Sequence, residues 1–123
     1  MSDAQKVLWQ HIDGILPVAT SHGIGEKRVI AKSEEVGCGV TQISKTVLRS
    51  GEYVEPHMHP TMVEHFFFLS GQCEVIIEGG NCYPCMGGDY LFIPAGCSHQ
   101  LRVNEETEMI TIGIATCSKN ISE

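Results

Sequence analysis

The alternation of apolar and polar positions changes character along the chain. Val7, Leu8 and Ile12 fall near one helical face, so residues 1–12 are expected to form a short helical or irregular arm. From Gly14 to Gly25 the chain is rich in glycine, proline, serine and threonine and reads as loop. Beyond that point the period is two. Val40–Leu48 alternates, with Thr41, Ile43, Lys45 and Val47 sharing one side. Glu64–Leu69 is a dense aromatic strand, and Cys73–Glu78 is rich in β-branched residues. Gly79-Gly80-Asn81 marks a hairpin turn. Leu91–Ile93, His99–Val103 and Glu108–Thr116 complete the predicted strands. Thirteen glycines separate these runs, and no helix of normal length is expected beyond residue 13. Many short strands with frequent turns point to an all-β sandwich or barrel. There is no internal repeat or linker, so a single domain is expected. Residues 1–35 form its N-terminal arm and first strand, 36–118 its β-barrel core and 119–123 a C-terminal tail.

Composition narrows the partners. A chain of 123 residues can bury a core without disulfides. The formal net charge of −7 argues against nucleic acid or an anionic membrane as partner. No stretch approaches the roughly 18 apolar residues of a membrane span. Met1-Ser2-Asp3-Ala4-Gln5-Lys6 lacks a basic segment followed by an apolar run, so no secretory signal is read and a cytoplasmic location is the expectation. Cys38, Cys73, Cys82, Cys85, Cys97 and Cys117 are then expected to be reduced thiols. Cys82-Tyr83-Pro84-Cys85 has no second pair and no nearby histidine, so it reads as two thiols in a hairpin loop.

Chemistry concentrates in two windows, Gly51–Glu64 and Gly88–His99. On an extended segment His57 and His59 point to the same face, so both imidazoles can meet one ion. Glu64 opens the next strand after a bend at Pro60. If it faces inward, Phe66 and Phe68 do too and border the carboxylate with apolar rings. Gly51 and Gly71 bracket this unit where tight turns are needed. His99 follows the turn Pro94-Ala95-Gly96 and begins a strand able to close the site from across a barrel. Three imidazoles and one carboxylate suit a divalent transition metal, whether Fe, Mn, Co, Ni, Cu or Zn, better than Ca²⁺ or Mg²⁺. An octahedral ion would keep about two open positions. His65 has the opposite parity to Glu64 and is expected to point away, in a structural or interface role. Lys27, Arg28, Arg49 and Arg102 are the cations available for an anionic substrate, although a solvated surface position is the simpler expectation for each. Asp89 reads as a turn-capping carboxylate.

These windows resemble the two motifs of the cupins. The first, G-x5-H-x-H-x3,4-E-x6-G, is matched by Gly51, His57, His59, Glu64 and Gly71. The second, G-x5-P-x-G-x2-H-x3-N, is matched by Gly88, Pro94, Gly96 and His99, while Val103 stands in the final position and Asn104 comes one residue late. The resemblance implies a single-domain jelly-roll β-barrel with the metal in its mouth. It also implies a homodimer, formed through barrel edges or an exchanged N-terminal strand. Chemistry in the family ranges over dioxygenases, decarboxylases, isomerases, epimerases, lyases and non-catalytic binders, so the fold does not choose the reaction. Two expectations follow. One is an enzyme acting on a small polar molecule, with the metal as Lewis acid or as the site of O₂ chemistry, and with His22 or Tyr53 moving protons. The other is a non-catalytic, metal-dependent binder of a sugar or carboxylate. A closed, purely structural metal is a third possibility. Phe66, Phe68, Tyr53 and Cys97 are the expected pocket-lining residues, with Cys97 either a further ligand or a packed thiol.

Overall fold

The computed structural model describes residues 8–36 and 39–116. Val7, Cys38, Cys117 and the C-terminal tail lie outside them, with the expectations that fell there. Eight strands form in chain order: β1 (Val18–Ala19), β2 (Glu26–Lys32), β3 (Val40–Leu48), β4 (Tyr53–His57), β5 (Met62–Ile77), β6 (Cys82–Met86), β7 (Tyr90–Ile93) and β8 (His99–Ala115). Between Leu8 and Gly25 only a 3₁₀ turn, Ile12–Gly14, and the short β1 interrupt the loop, so of the helical or irregular arm expected over residues 1–12 the described part, from Leu8, takes the irregular form. One four-residue helix, Ser33–Val36, links β2 to β3.

Every strand pairing is antiparallel. The main path runs β1-β2-β3-β8-β5-β6, with β4 added to β8 and β7 to β5. The two long strands make this a jelly roll. The Met62–Phe68 half of β5 pairs with β7 and the far half of β8, and its Gln72–Ile77 half pairs with β6 and the near half of β8. The chain therefore crosses twice from one layer to the other. At both crossings the sequence pattern predicts a break between separate strands. The structure instead bends a continuous strand, and the register shifts at Ser70 and Gln72 mark the bend. Gly71, expected in a tight turn, occupies this bulge at φ +92°. A Cβ there would lie 2.1 Å from the Glu106 carbonyl oxygen, so close strand approach requires glycine. On β8, the Thr107 hydroxyl donates to the Glu105 carbonyl at 2.8 Å, with the Gln72 carbonyl of β5 3.3 Å away, and ties the corner together.

The core lies between the layers. Leu48, Val54, Phe66, Phe68, Val75, Leu101, Val103 and Met109 pack there with Cys73, Cys85 and Ile93. Each fully buried aliphatic or aromatic side chain contributes about 1.5–3 kcal/mol. β3 turns its polar side inward. Ser44, Thr46 and Leu48 are buried, while Thr41, Ile43, Lys45 and Val47 face out. The outer face is correspondingly apolar. Ile43 lies beside Ile112, which lies beside His65, then Phe92, and Phe67 is flanked by Ile110 and Tyr90.

Cys82 and Cys85 fall on opposite faces of β6. Cys85 is buried against its cross-strand neighbour Cys73, and Cys82 is exposed. The pair therefore shares no common ligand point. Burial pushes the Cys73 thiol up to about 12 and the Cys85 thiol up to about 11, so both are inert packing groups.

Candidate metal centre

The residues in question reach one point from four different segments. β4 ends at His57, which lies directly opposite His99, the first residue of β8. His59 stands in the loop beyond β4, where its carbonyl accepts a 2.8 Å bond from the Gly96 amide. The two sequence windows are thus tied together by backbone. Glu64 projects inward from β5 across Gly113 of β8. A side chain at Gly113 would run into the Met62 thioether, which packs over this glycine.

His57, His59 and His99 each offer a ring nitrogen, and these atoms lie within 4.8 Å of one another. Glu64 Oε1 is 3.4 Å from both His59 Nε2 and His99 Nε2. The Nδ1 atoms of His57 and His99 are each 3.0 Å from a backbone carbonyl, that of Glu55 and that of Cys97. A carbonyl can only accept, so each Nδ1 carries a proton and each neutral ring presents its Nε2 lone pair inward. Glu64 Oε1 and His99 Nε2 are buried with no hydrogen-bond partner among the described residues. Leaving such groups unpaired costs about 1–3 kcal/mol each. A cation between them would remove that cost, and an N₃O donor set is what a divalent transition ion takes.

The electrostatics agree. Burial would raise the Glu64 carboxyl, but the surrounding imidazoles of His99, His59 and His57 hold it below its ordinary value. Burial would lower His99, yet Glu64 and the Cys97 carbonyl raise it. His57 is lowered, by burial first and then by its imidazole neighbours. An anion surrounded by rings that resist or share a proton is an arrangement that suits a cation.

The centre opens into a cavity of about 150 Å³, similar to the cavity size that admits a benzene-sized molecule. Phe66 lines it as expected, beside Leu48, Leu101 and Met109. The other expected lining residues lie elsewhere. Phe68 is one inward position further along β5 and is enclosed by the core. Cys97 packs against that core behind His99. Tyr53 is exposed in an outer groove on the other side of His57, its hydroxyl bonded to Gln100. Phe68 keeps the inward parity expected for it but lies too far along β5 to reach the cavity, whereas Tyr53 and Cys97, near the ligands in sequence, turn their side chains elsewhere.

His22 does reach the cavity. The N-terminal arm brings its ring to 5.7 Å, between centroids, from that of His57. The Ile24 amide donates to its Nδ1 at 3.2 Å, so the neutral ring carries its proton on Nε2. Burial, then the charges of His57 and Lys27, lower its pKa. Lys27, expected at a solvated position, also lines the cavity, together with Gln42, Thr46 and Thr111. The signal for Gln42 and Thr46 is the polar inner parity of β3, legible only once the inner side is known, and Lys27 follows as the cross-strand neighbour of Thr46. His65 faces outward, 2.7 Å from the Tyr90 hydroxyl. Arg102 pairs with Glu74 on the surface, and Asp89 accepts from the Met86 amide.

The cupin domain model matches residues 45–114. The chain belongs to the cupin family. It is 27% identical over 88 residues to the polyketide synthase CurC of Streptomyces cyaneus, covering 70% of this chain and 56% of that protein. The chain thus spans little more than half the length of this curated relative. Among solved structures it resembles a predicted oxalate decarboxylase from Thermotoga maritima, with a TM-score of 0.77 and 21% identity over 89% of this chain and 99% of the other. It also resembles ectoine synthase from P. lautus, with a TM-score of 0.78 and 18% identity over 90% and 80% of the two chains. These likenesses establish the fold and leave the reaction open.

Proposed function

We propose that this cupin is a metal-dependent enzyme acting on a small polar molecule, with one divalent transition ion held by His57, His59, Glu64 and His99. The observation that carries the reading is the buried, unpartnered pair Glu64 Oε1 and His99 Nε2, facing two further imidazoles at the head of a cavity. A bound ion would supply Lewis acidity toward adjacent oxygens, as isomerase, epimerase or lyase chemistry requires, or with Fe(II) a site for O₂. The protein's own part is to hold and enclose the reactant. Phe66 and Leu101 exclude water on one side. His22, neutral with its proton on Nε2, can donate a hydrogen bond to a reactant at the cavity wall. The kinship of CurC and ectoine synthase, both named as enzymes of small-molecule metabolism, is in keeping with this reading.

One observation favours the alternative of a non-catalytic binder. Glu64 is the sole carboxylate lining the cavity among the described residues, and it faces the imidazoles, so no second acid is free to move protons. Protein purified without added metal, analysed for its elements and then tested on hydroxy-ketones, sugars and diketones, separates the cases. Turnover or O₂ consumption by the metal-loaded chain establishes the enzyme. Tight binding without conversion establishes the binder, and absence of stoichiometric metal uptake sinks both. We also infer a homodimer. Its support is the apolar outer face built from Ile43, Ile110, Ile112, Phe67 and Phe92, which a second copy of the same face would cover.

A further inference from the structure

We propose that Lys27 is the charge-recognising residue of the cavity, and that the ligand is a small carboxylate whose charged group rests on Lys27 while its other polar atoms face the metal centre. This deepens the proposed function and rests on it only for the second half of the statement.

Lys27 lies directly opposite Thr46 in the β2–β3 pairing. Opposed residues share a face, and Thr46 is buried inward. The side chain therefore enters the barrel, and the residue also borders an outer groove lined by Glu34 and Glu35, neither of which comes within 4.0 Å of its ammonium. Its Nζ donates to Gln42 Oε1 at 2.9 Å, and the Ser44 hydroxyl donates to the same oxygen at 3.0 Å. Gln42 is thereby fixed in place, with its amide nitrogen left as a donor. One of the three ammonium hydrogens is used, and two remain.

The ion-pair pattern sets Lys27 apart. Arg28, Lys45, Arg49 and Arg102 each have a carboxylate within 4.0 Å. Among the described residues, Lys27 and Lys32 have none, and of these two only Lys27 lines the cavity that holds the imidazole cluster. Among the described residues the cavity wall carries a single Lys or Arg, Lys27, and a single carboxylate, Glu64. With Glu64 committed to the imidazoles, Lys27 is left without a counter-charge, in a chain whose net charge is −7. A half-buried ammonium without an anion is costly, and a ligand that supplies the anion gains that energy on binding.

The chemistry of the wall selects the class. One ammonium, the Gln42 amide and the hydroxyls of Thr46 and Thr111 match a monoanion with two acceptor oxygens. A phosphate would call for more positive charge than this wall holds. A cavity of about 150 Å³ limits the ligand to a few carbon atoms or a single small ring.

The test uses the full chain, chelated and also Co(II)-loaded, with three acid–amide pairs: glycolate and glycolamide, lactate and lactamide, mandelate and mandelamide. Calorimetric titration of the wild type should show at least one acid binding roughly tenfold or more tightly than its amide, the size of one charge-assisted hydrogen bond. Lys27→Met should bring that pair to parity while leaving cobalt content and thermal midpoint unchanged. Lys27→Arg should restore the preference. An acid preference that survives in Lys27→Met overturns the proposal, because the metal alone would then be holding the carboxylate. So does the absence of any acid preference in the wild type in both states. If the chain takes up no cobalt but the chelated form shows a Lys27-dependent preference, the metal reading fails and the assignment of Lys27 stands.

Discussion

Replacing Gly71 by alanine should be among the most damaging single-methyl changes in this protein, and its cost can be worked from two separable parts. The backbone sits at φ +92°, where an L-residue costs about 1–2 kcal/mol. The added Cβ would also lie 2.1 Å from the Glu106 carbonyl oxygen and 2.7 Å from Thr107 Cα. Both are backbone atoms of β8, which cannot step aside without breaking the corner held by the Thr107 hydroxyl. Overpacking of that kind adds about 1–3 kcal/mol. The total, about 2–5 kcal/mol, is a large share of the 5–15 kcal/mol typical of a domain. Gly51 is the internal control. Its φ is +85°, yet nothing lies within 4 Å of a Cβ there, so Gly51→Ala carries the backbone part alone. At about 4 °C per kcal/mol, Gly71→Ala should lower the melting temperature by about 8–20 °C and Gly51→Ala, without the contact part, by about 4–8 °C. Circular dichroism melts of chelated protein measure both without a contribution from bound ion. Equal drops in the two variants would refute the claim that β5 and β8 are in backbone contact at the bulge.

Other outcomes follow from the same geometry. His57→Ala and His99→Ala should abolish stoichiometric metal by elemental analysis, and His65→Ala should not, because its ring faces Tyr90 on the outer surface; loss of metal in His65→Ala would reverse the face assignment of β5. In chelated protein the pKa values of His22 and His57 are depressed, so below their ordinary value of 6.5 the unfolded chain takes protons more readily and stability falls with pH. The raised His99 acts in the opposite sense, adding stability that is lost as pH rises through its folded value. Removing one depressed group should isolate its share: between pH 8 and pH 5.5 His22→Asn should lose less melting temperature than the wild type, and an equal loss would show that His22 titrates freely. Phe67→Asp with Phe92→Asp should turn a dimer into a monomer in light scattering while preserving metal content; a wild type that is monomeric at high concentration removes the inferred interface.

Much of this protein was legible in residue order because the relevant physics is local. Period-two alternation marked the strands and thereby the all-β class. The spacing of Gly51, His57, His59, Glu64, Pro94, Gly96 and His99 marked the family, since ligands on short loops and strand starts must keep fixed separations to meet one ion. Parity alone placed His65 opposite to Glu64. Tertiary structure decided what depends on contacts between distant segments. Ser70-Gly71-Gln72 reads as a break between two strands, and only the approach of β8 shows that it is a bend within one. The alternation of β3 is equally clear on both sides, and a single strand contains nothing to say which side is enclosed. Packing turned Ser44 and Thr46 inward and left Ile43 and Val47 outside, and by the same rotation it carried Lys27 from an expected surface position into the cavity. His22 arrives there from some thirty-five residues before His57 because β2 pairs with β3 and draws the arm across the barrel mouth. Side-chain spacing along a strand is a property of the chain; the direction in which that strand faces is a property of its neighbours.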